Sequence, residues 1–301
     1  MAMISLEMQK ITAAARRSDC AFAVVPWGGG SMINPIKSNS QIHPVPGSSS
    51  SGSWAKQNGI LVFENVKRTP QGFTIDEDEK LSGIFTQLDY RNTPGTGGKT
   101  FIAKAYCPLQ YAPDITSTSY RDMAGFGYDI IAQGVASYWK NGYVYQSTSP
   151  THPGVKYQCF HLAVWDYSLK KYYPYITCNV ILYYGSSPRS FSVYVKNIPR
   201  SELFDRFNVF AMQFIPAAET ENDISQLKLF FNGNLVGSSN WVTSGTAPKW
   251  YSAADDQCGL HPTMSVCANT TLERTARHTV SWAMGFDSVL TEDEIMDLST
   301  V

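Results

Sequence analysis

The sequence predicts a mostly antiparallel, all-β protein built around one large two-sheet sandwich. Three observations predict it. Aromatic residues make up 13% of the 301-residue chain and charged residues only 16%, a balance that favours strands over helices. Short apolar runs with period-two alternation recur over most of the chain, with almost no helical periodicity between them. Asn-Gly dipeptides at Asn141-Gly142 and Asn232-Gly233 lie between such runs, where their tolerance of positive φ suits hairpin turns.

Along the chain, Met3 to Ala15 reads as a short helix, with Ile4, Met8 and Ile11 at helical spacing. Phe22, Val24, Val25 and Trp27 follow. Then come Gly28 to Gly30, prolines 35, 44 and 46, and the serine run Ser48–Ser51, which is linker composition. Residues 1–57 are therefore expected to form an anchoring arm and linker ahead of a sandwich at 58–301. The arm's apolar residues Ile4, Met8, Ile11, Phe22, Val24, Val25 and Trp27 are costly to leave in water, so they should dock on a partner chain or on the body itself.

In the body, Ile60–Phe63 is a short apolar run. Ile84, Leu88 and Tyr90 share one parity, and Phe160, Leu162 and Val164 alternate with their neighbours. Phe191, Val193 and Val195 alternate with Ser192, Tyr194 and Lys196, the pattern of a half-buried strand. Phe207–Ile215 is apolar on both parities, as a strand covered on both faces should be. After a strand at His278–Phe286, Thr291-Glu-Asp-Glu294 forms a capping box, and Ile295 and Leu298 give the helix behind it a small apolar face.

Two stretches carry a family resemblance. Phe207–Ile215 followed by Leu227–Val236 around Asn232-Gly233 resembles a core strand and its hairpin in the concanavalin A-like lectin/glucanase superfamily, in the laminin-G-like branch. Trp282–Ile295 resembles that family's closing strand and terminal helix. The resemblance implies a two-sheet antiparallel sandwich of jelly-roll type. It names no ligand, since one fold hosts lectins, glycosidases and adhesive modules.

The glycosidases of that superfamily carry Glu-x-Asp-x-(x)-Glu on one strand, because alternate residues face one cleft and a retaining mechanism needs carboxylates about 5 Å apart. Asp76-Glu-Asp-Glu79 has the wrong order, and Glu219–Asp223 reads as an exposed loop. No nucleophile elbow, zinc-protease motif or phosphate loop is present, so no enzyme activity, catalytic residue or cofactor is expected. Asp255, Asp256 and Asp287 offer oxygen ligands, but at no spacing that marks a calcium cage. The cysteines at 20, 107, 159, 178, 258 and 267 lack a CxxC pair and read as thiols; for Cys258 and Cys267, with His261 between them, a metal site or a disulfide closing a short loop is the alternative.

A binding role is argued from the surplus aromatics. Sugar rings stack their C–H faces on tyrosine and tryptophan. Tyr172, Tyr173 and Tyr175 form one cluster; Trp241, Trp250 and Tyr251 lie in segments that read as loops. The alternative is that these rings pack over the sandwich or in a subunit interface.

A net charge of −1 gives no electrostatic reason to expect nucleic acid, and no apolar run is long enough to span a bilayer. The N-terminus does not resemble a secretory signal. An adhesive fold without an export signal and with an anchoring arm is similar in plan to a phage virion fibre or capsid-decoration protein. Its expected partners are other virion proteins through the arm, a cell-surface glycan, and further copies of the chain. The alternatives are an exported cellular carbohydrate-binding or adhesion module and a polysaccharide-degrading enzyme.

Overall fold

The computed structural model describes residues 5–25, 61–64, 66–75, 82–86, 98–109, 129–135, 155–161, 164–166, 171–173, 176–184, 187–195, 198–215, 224–242, 262–269 and 278–300. Every strand pair among them is antiparallel.

The chain opens with helix α1 (Leu6–Ala15) and strand β1 (Cys20–Val24). Ser5 caps the helix, its hydroxyl accepting from the Met8 N–H at 3.1 Å. Next come β2 (Leu61–Glu64), β3 (Val66–Thr69), β4 (Gly72–Ile75), β5 (Ser82–Thr86), β6 (Lys99–Tyr106), β7 (Asp129–Val135) and β8 (Val155–His161). A small hairpin, β9 (Val164–Asp166) with β10 (Lys171–Tyr173), precedes β11 (Ile176–Tyr184) and β12 (Ser187–Val195). A single helical turn α2 (Arg200–Leu203) leads to β13 (Phe207–Ile215), β14 (Ile224–Phe231) and β15 (Asn234–Val242). The last elements are β16 (Pro262–Asn269), β17 (Thr279–Phe286) and helix α3 (Glu292–Ser299).

The strands form two large sheets. One runs β15-β14-β13-β6-β17-β4-β3, with β1 also on β17; the other runs β12-β11-β8-β7-β16-β5-β2. Contacts join β15 to β12, β13 to β8, β6 to β7, β17 to β16 and β3 to β5, so the two orders lie over one another strand by strand. Gly237 shows how close they come. A Cβ there would stand 2.6 Å from Val193 Cγ1, so any larger residue at 237 would push β15 off β12.

Parity in the eight-stranded sheet separates two cores. Phe101, Met212 and Leu229 are mutual register partners, and Leu229 pairs with Gly237, which faces β12; this row fills the space between the sheets. The other parity carries Ile102, Ala211, Phe230 and Met284, again mutual register partners, and belongs to an apolar cluster with Ile11, Ala14 and Ala15 of α1 and Ile295 and Leu298 of α3. Two helices from opposite ends of the chain therefore cover the outer face of this sheet. That explains why β13 is apolar on both parities: its residues 208–214 are all buried.

The N-terminal segment is thus part of the sandwich's own architecture. Ile11, Val24 and Val25, expected to be offered to a neighbour or to the body, are at most 2% exposed and lie in the body. Met8 is half-buried, the backbone of Phe22 pairs with Gly285, and Ile4 and Trp27 lie outside the described residues. The expected boundary at 57/58 lies outside them as well. The physical reason for the docking is area: β17 has an edge beyond β4, and β1 pairs there through Cys20–Phe286 and Val24–Ala283.

The sequence signals at the chain's end hold. Thr291 and Glu294 form the capping box, with Thr291 N–H to Glu294 Oε2 at 2.7 Å and Glu294 N–H to Thr291 Oγ1 at 3.1 Å. Asn232 and Gly233 make the β14–β15 turn with φ of 49° and 83°. The turn at Asn141-Gly142 lies outside the described residues.

Candidate functional site

Helices α1 and α3 do not cover the whole outer face. Moving along β6 on that parity, Thr100 and Ile102 are buried, Lys104 is half-buried under Glu7 of α1, and Tyr106 is reached after the helical cover ends. Register extends Tyr106 into a row across five strands: Phe207 of β13, Tyr106 of β6, Thr279 of β17, Thr74 of β4 and Lys67 of β3. Phe207 is 37% exposed, Lys67 is exposed, and the three residues between them are half-buried.

The row has an internal structure. The rings of Tyr106 and Phe207 lie 5.5 Å apart at 52°, a tilted pair open on one side to solvent. The hydroxyls of Thr74 and Thr279 share a 2.8 Å hydrogen bond. At the aromatic end stands Asp205, an exposed carboxylate in the left-handed region with φ of 55°. Non-glycine residues adopt this conformation at a cost, which local contacts must offset. Here the Asp205 N–H donates to Cys107 O at 3.0 Å, and its Oδ1 accepts from the Leu109 N–H at 2.9 Å and the Tyr106 hydroxyl at 3.4 Å. Asn208 fixes the preceding turn by donating to the carbonyls of Glu202 and Leu203.

Partial burial, and then the Asp205 charge, push the Tyr106 phenol above its ordinary value. The hydroxyl therefore stays protonated and keeps its donor turned to the carboxylate. Among the described residues the side-chain hydrogen bonds of Asp205 fall on Oδ1, which leaves Oδ2 for a ligand. An aromatic platform, a fixed carboxylate and two hydroxyls within one row suit a ligand with both an apolar face and hydroxyl groups. No sequence pattern marks this site, because its other members lie between 72 and 140 positions from Phe207 on four other strands and only the register aligns them.

The aromatic residues singled out from sequence are placed elsewhere. Tyr172 and Tyr173 lie on β10, opposite Trp165 and Val164 of β9. Trp241, expected in a loop, is instead in edge strand β15 with its backbone opposite Ser225. The ladder extends past the bulge at Val236 because β14 still supplies partners to Ile224, and this outweighs the loop-like Ser/Asn composition. Tyr175, Trp250 and Tyr251 lie outside the described residues. The described residues do not bring Trp241 and the β9–β10 hairpin into one site.

Asp287, weighed as a cation ligand, pairs with the buried Lys99 at 2.7 Å. Asp255 and Asp256, and the acidic runs at 76–79 and 219–223, lie outside the described residues. Among those described, no group of three or more His, Cys, Asp or Glu side chains is placed to hold a metal. Cys20, Cys107 and Cys178 are buried thiols, and burial raises the Cys178 thiol well above its ordinary value.

The class that this architecture defines is a two-sheet antiparallel β-sandwich with a short C-terminal helix. No protein-family model matches the chain, and no curated protein sequence is similar to it. Solved structures are similar in fold. The botulinum neurotoxin serotype D binding domain matches with a TM-score of 0.51 and 10% identity, over 94% of this chain and 52% of that one. The serotype D ligand-binding domain in complex with N-acetylneuraminic acid gives 0.51 and 10%, over 96% and 52%. The binding domain of neurotoxin DC in complex with rat synaptotagmin II gives 0.52 and 9%, over 94% and 51%. The chain spans about half the length of these solved chains, and at such identities the likeness is one of fold.

Proposed function

We propose that this chain is a non-catalytic binding module that takes a carbohydrate on the uncovered row of its eight-stranded sheet. The observation that carries the reading is the Tyr106–Phe207 ring pair beside Asp205, a carboxylate held at positive φ by two hydrogen bonds to its Oδ1. A pyranose would lay its C–H face on the rings and offer hydroxyls to Asp205 at one end and to Thr279 at the other. Support of a second kind comes from the fold neighbours, which are binding domains, one of them in complex with N-acetylneuraminic acid. The β9–β10 hairpin around Tyr172 and Tyr173, and Trp241 on β15, remain further proposed contact points, with Tyr175, Trp250 and Tyr251 beside them in sequence.

The finer placement in the laminin-G-like branch rests on Phe207–Ile215 with the hairpin Leu227–Val236, and on Trp282–Ile295. The reading as a phage virion fibre or decoration protein rests on the order of elements in the sequence alone, and an exported adhesion module fits the same site.

The test is a glycan array probed with the purified chain, followed by calorimetric titration of any glycan retained. Retention of a defined glycan, with no release of reducing ends, is the expected result. Cleavage abolished by substituting one carboxylate would overturn the non-catalytic reading. Co-sedimentation with assembled particles separates the virion role from the cellular one.

A further inference from the structure

We propose that the α1–β1 segment is an exchangeable element, able to take the same seat on the sandwich of a second copy of this chain that it takes on its own. The seat is a property of the body. It consists of the outer faces of Trp282, Met284 and Phe286, the free edge of β17 opposite residues 20–24, and the flank of α3. Without α1–β1 these apolar residues would meet water, so the seat demands an occupant. What it demands is only the segment's chemistry: Ile11, Ala14 and Ala15 for the apolar face, and three charged side chains for the rim. Glu7 meets Lys104 at 2.7 Å and also accepts from Trp282 Nε1, Lys10 meets Asp297, and Arg17 meets Glu294.

None of these contacts depends on which chain supplies the segment. The covalent connection to the body runs through residues 26–60, and a stretch of that length reaches up to about 120 Å. A 301-residue domain has a radius of gyration of about 19 Å. The connection therefore allows the segment to reach a neighbouring copy, and two copies can exchange segments about a two-fold axis with every contact kept. Such an exchange would double the number of carbohydrate rows per particle without any new interface, and it stands whether or not those rows bind sugar.

Two full-length double variants test this. Glu7→Lys/Lys10→Glu reverses the rim of the segment, and Lys104→Glu/Asp297→Lys reverses the rim of the seat. Each variant alone sets like charges against each other. A reciprocal heterodimer restores both sets of pairs, since each variant keeps one native half. The expected result is that an equimolar mixture, refolded together from urea, forms a 1:1 complex of twice the chain mass by multi-angle light scattering, while each variant alone does not. If either variant fails to fold alone, wild-type chain refolded at high concentration decides: a dimer that persists on dilution supports exchange. Monomer throughout, in the mixture and in the concentrated wild type, would overturn it, as would equal dimerisation of each variant alone.

Discussion

Glu294 joins the two ends of the chain: one of its carboxylate oxygens closes the capping box on the Thr291 N–H, and the other receives the Arg17 guanidinium from the N-terminal segment. Arg17 in turn holds Asp19 at 2.8 Å, and Asp19 accepts from the Ser288 hydroxyl at 2.6 Å. The cap of the last helix and the turn before the first strand thus share one charged chain of contacts.

That chain makes the seam sensitive to acid. Glu294 is held below its ordinary value first by the Thr291 backbone N–H and then by Arg17, and Asp19 first by Arg17 and then by Ser288. A carboxyl lowered in the folded state stabilises above its unfolded value and loses that contribution as pH falls through the folded one. The urea midpoint should therefore hold from neutral pH to about 5 and fall below about 4. Glu294→Gln should flatten the fall; an unchanged acid limb would remove Glu294 from the seam.

Ile11 tests whether the N-terminal segment is structural. It is fully buried against the sheet, so Ile11→Ala should cost about 2–5 kcal/mol of unfolding free energy. A detached arm would lose nothing measurable at that position.

Gly72 is needed on two counts. Its φ is +146°, and a Cβ there would stand 2.3 Å from Val280 O and 2.6 Å from Ser281 Cα, both backbone atoms that cannot rotate aside. Gly72→Ala should destabilise by about 2 kcal/mol or more. It should also loosen the β3–β4 hairpin that ends the candidate row, seen as faster amide exchange at Thr74. Native-like exchange and stability would show that the β4–β17 crossing is wider than described.

Much of the fold was legible because local signals agreed with the final environment. Phe207–Ile215, the Asn232-Gly233 turn and the Thr291 cap each bring their own geometry, and all three stand where the residues indicated. The half-buried strand at 191–195 keeps its alternation, with Val193 buried and Tyr194 51% exposed. β6 was not legible. Its alanines at 103 and 105 and its lysines at 99 and 104 dilute the apolar signal, yet it is the central strand that pairs with both β13 and β17. The candidate row was illegible for a related reason: no spacing in the chain places Thr74 beside Thr279, and only strand register does. Trp241 shows the opposite failure, where a loop-like composition was overridden by a ladder partner.

Calorimetric titration of an array-identified glycan decides whether the uncovered row of the eight-stranded sheet binds carbohydrate. Phe207→Ala and Tyr106→Ala remove the two ring faces, and Tyr194→Ala removes an exposed ring on edge strand β12 of the other sheet. The first two should weaken binding about tenfold, on the order of the 1.4 kcal/mol that ring contacts contribute, while Tyr194→Ala should leave it unchanged. Binding that survives both row substitutions, or an array that retains no glycan at all, would contradict carbohydrate binding at the row.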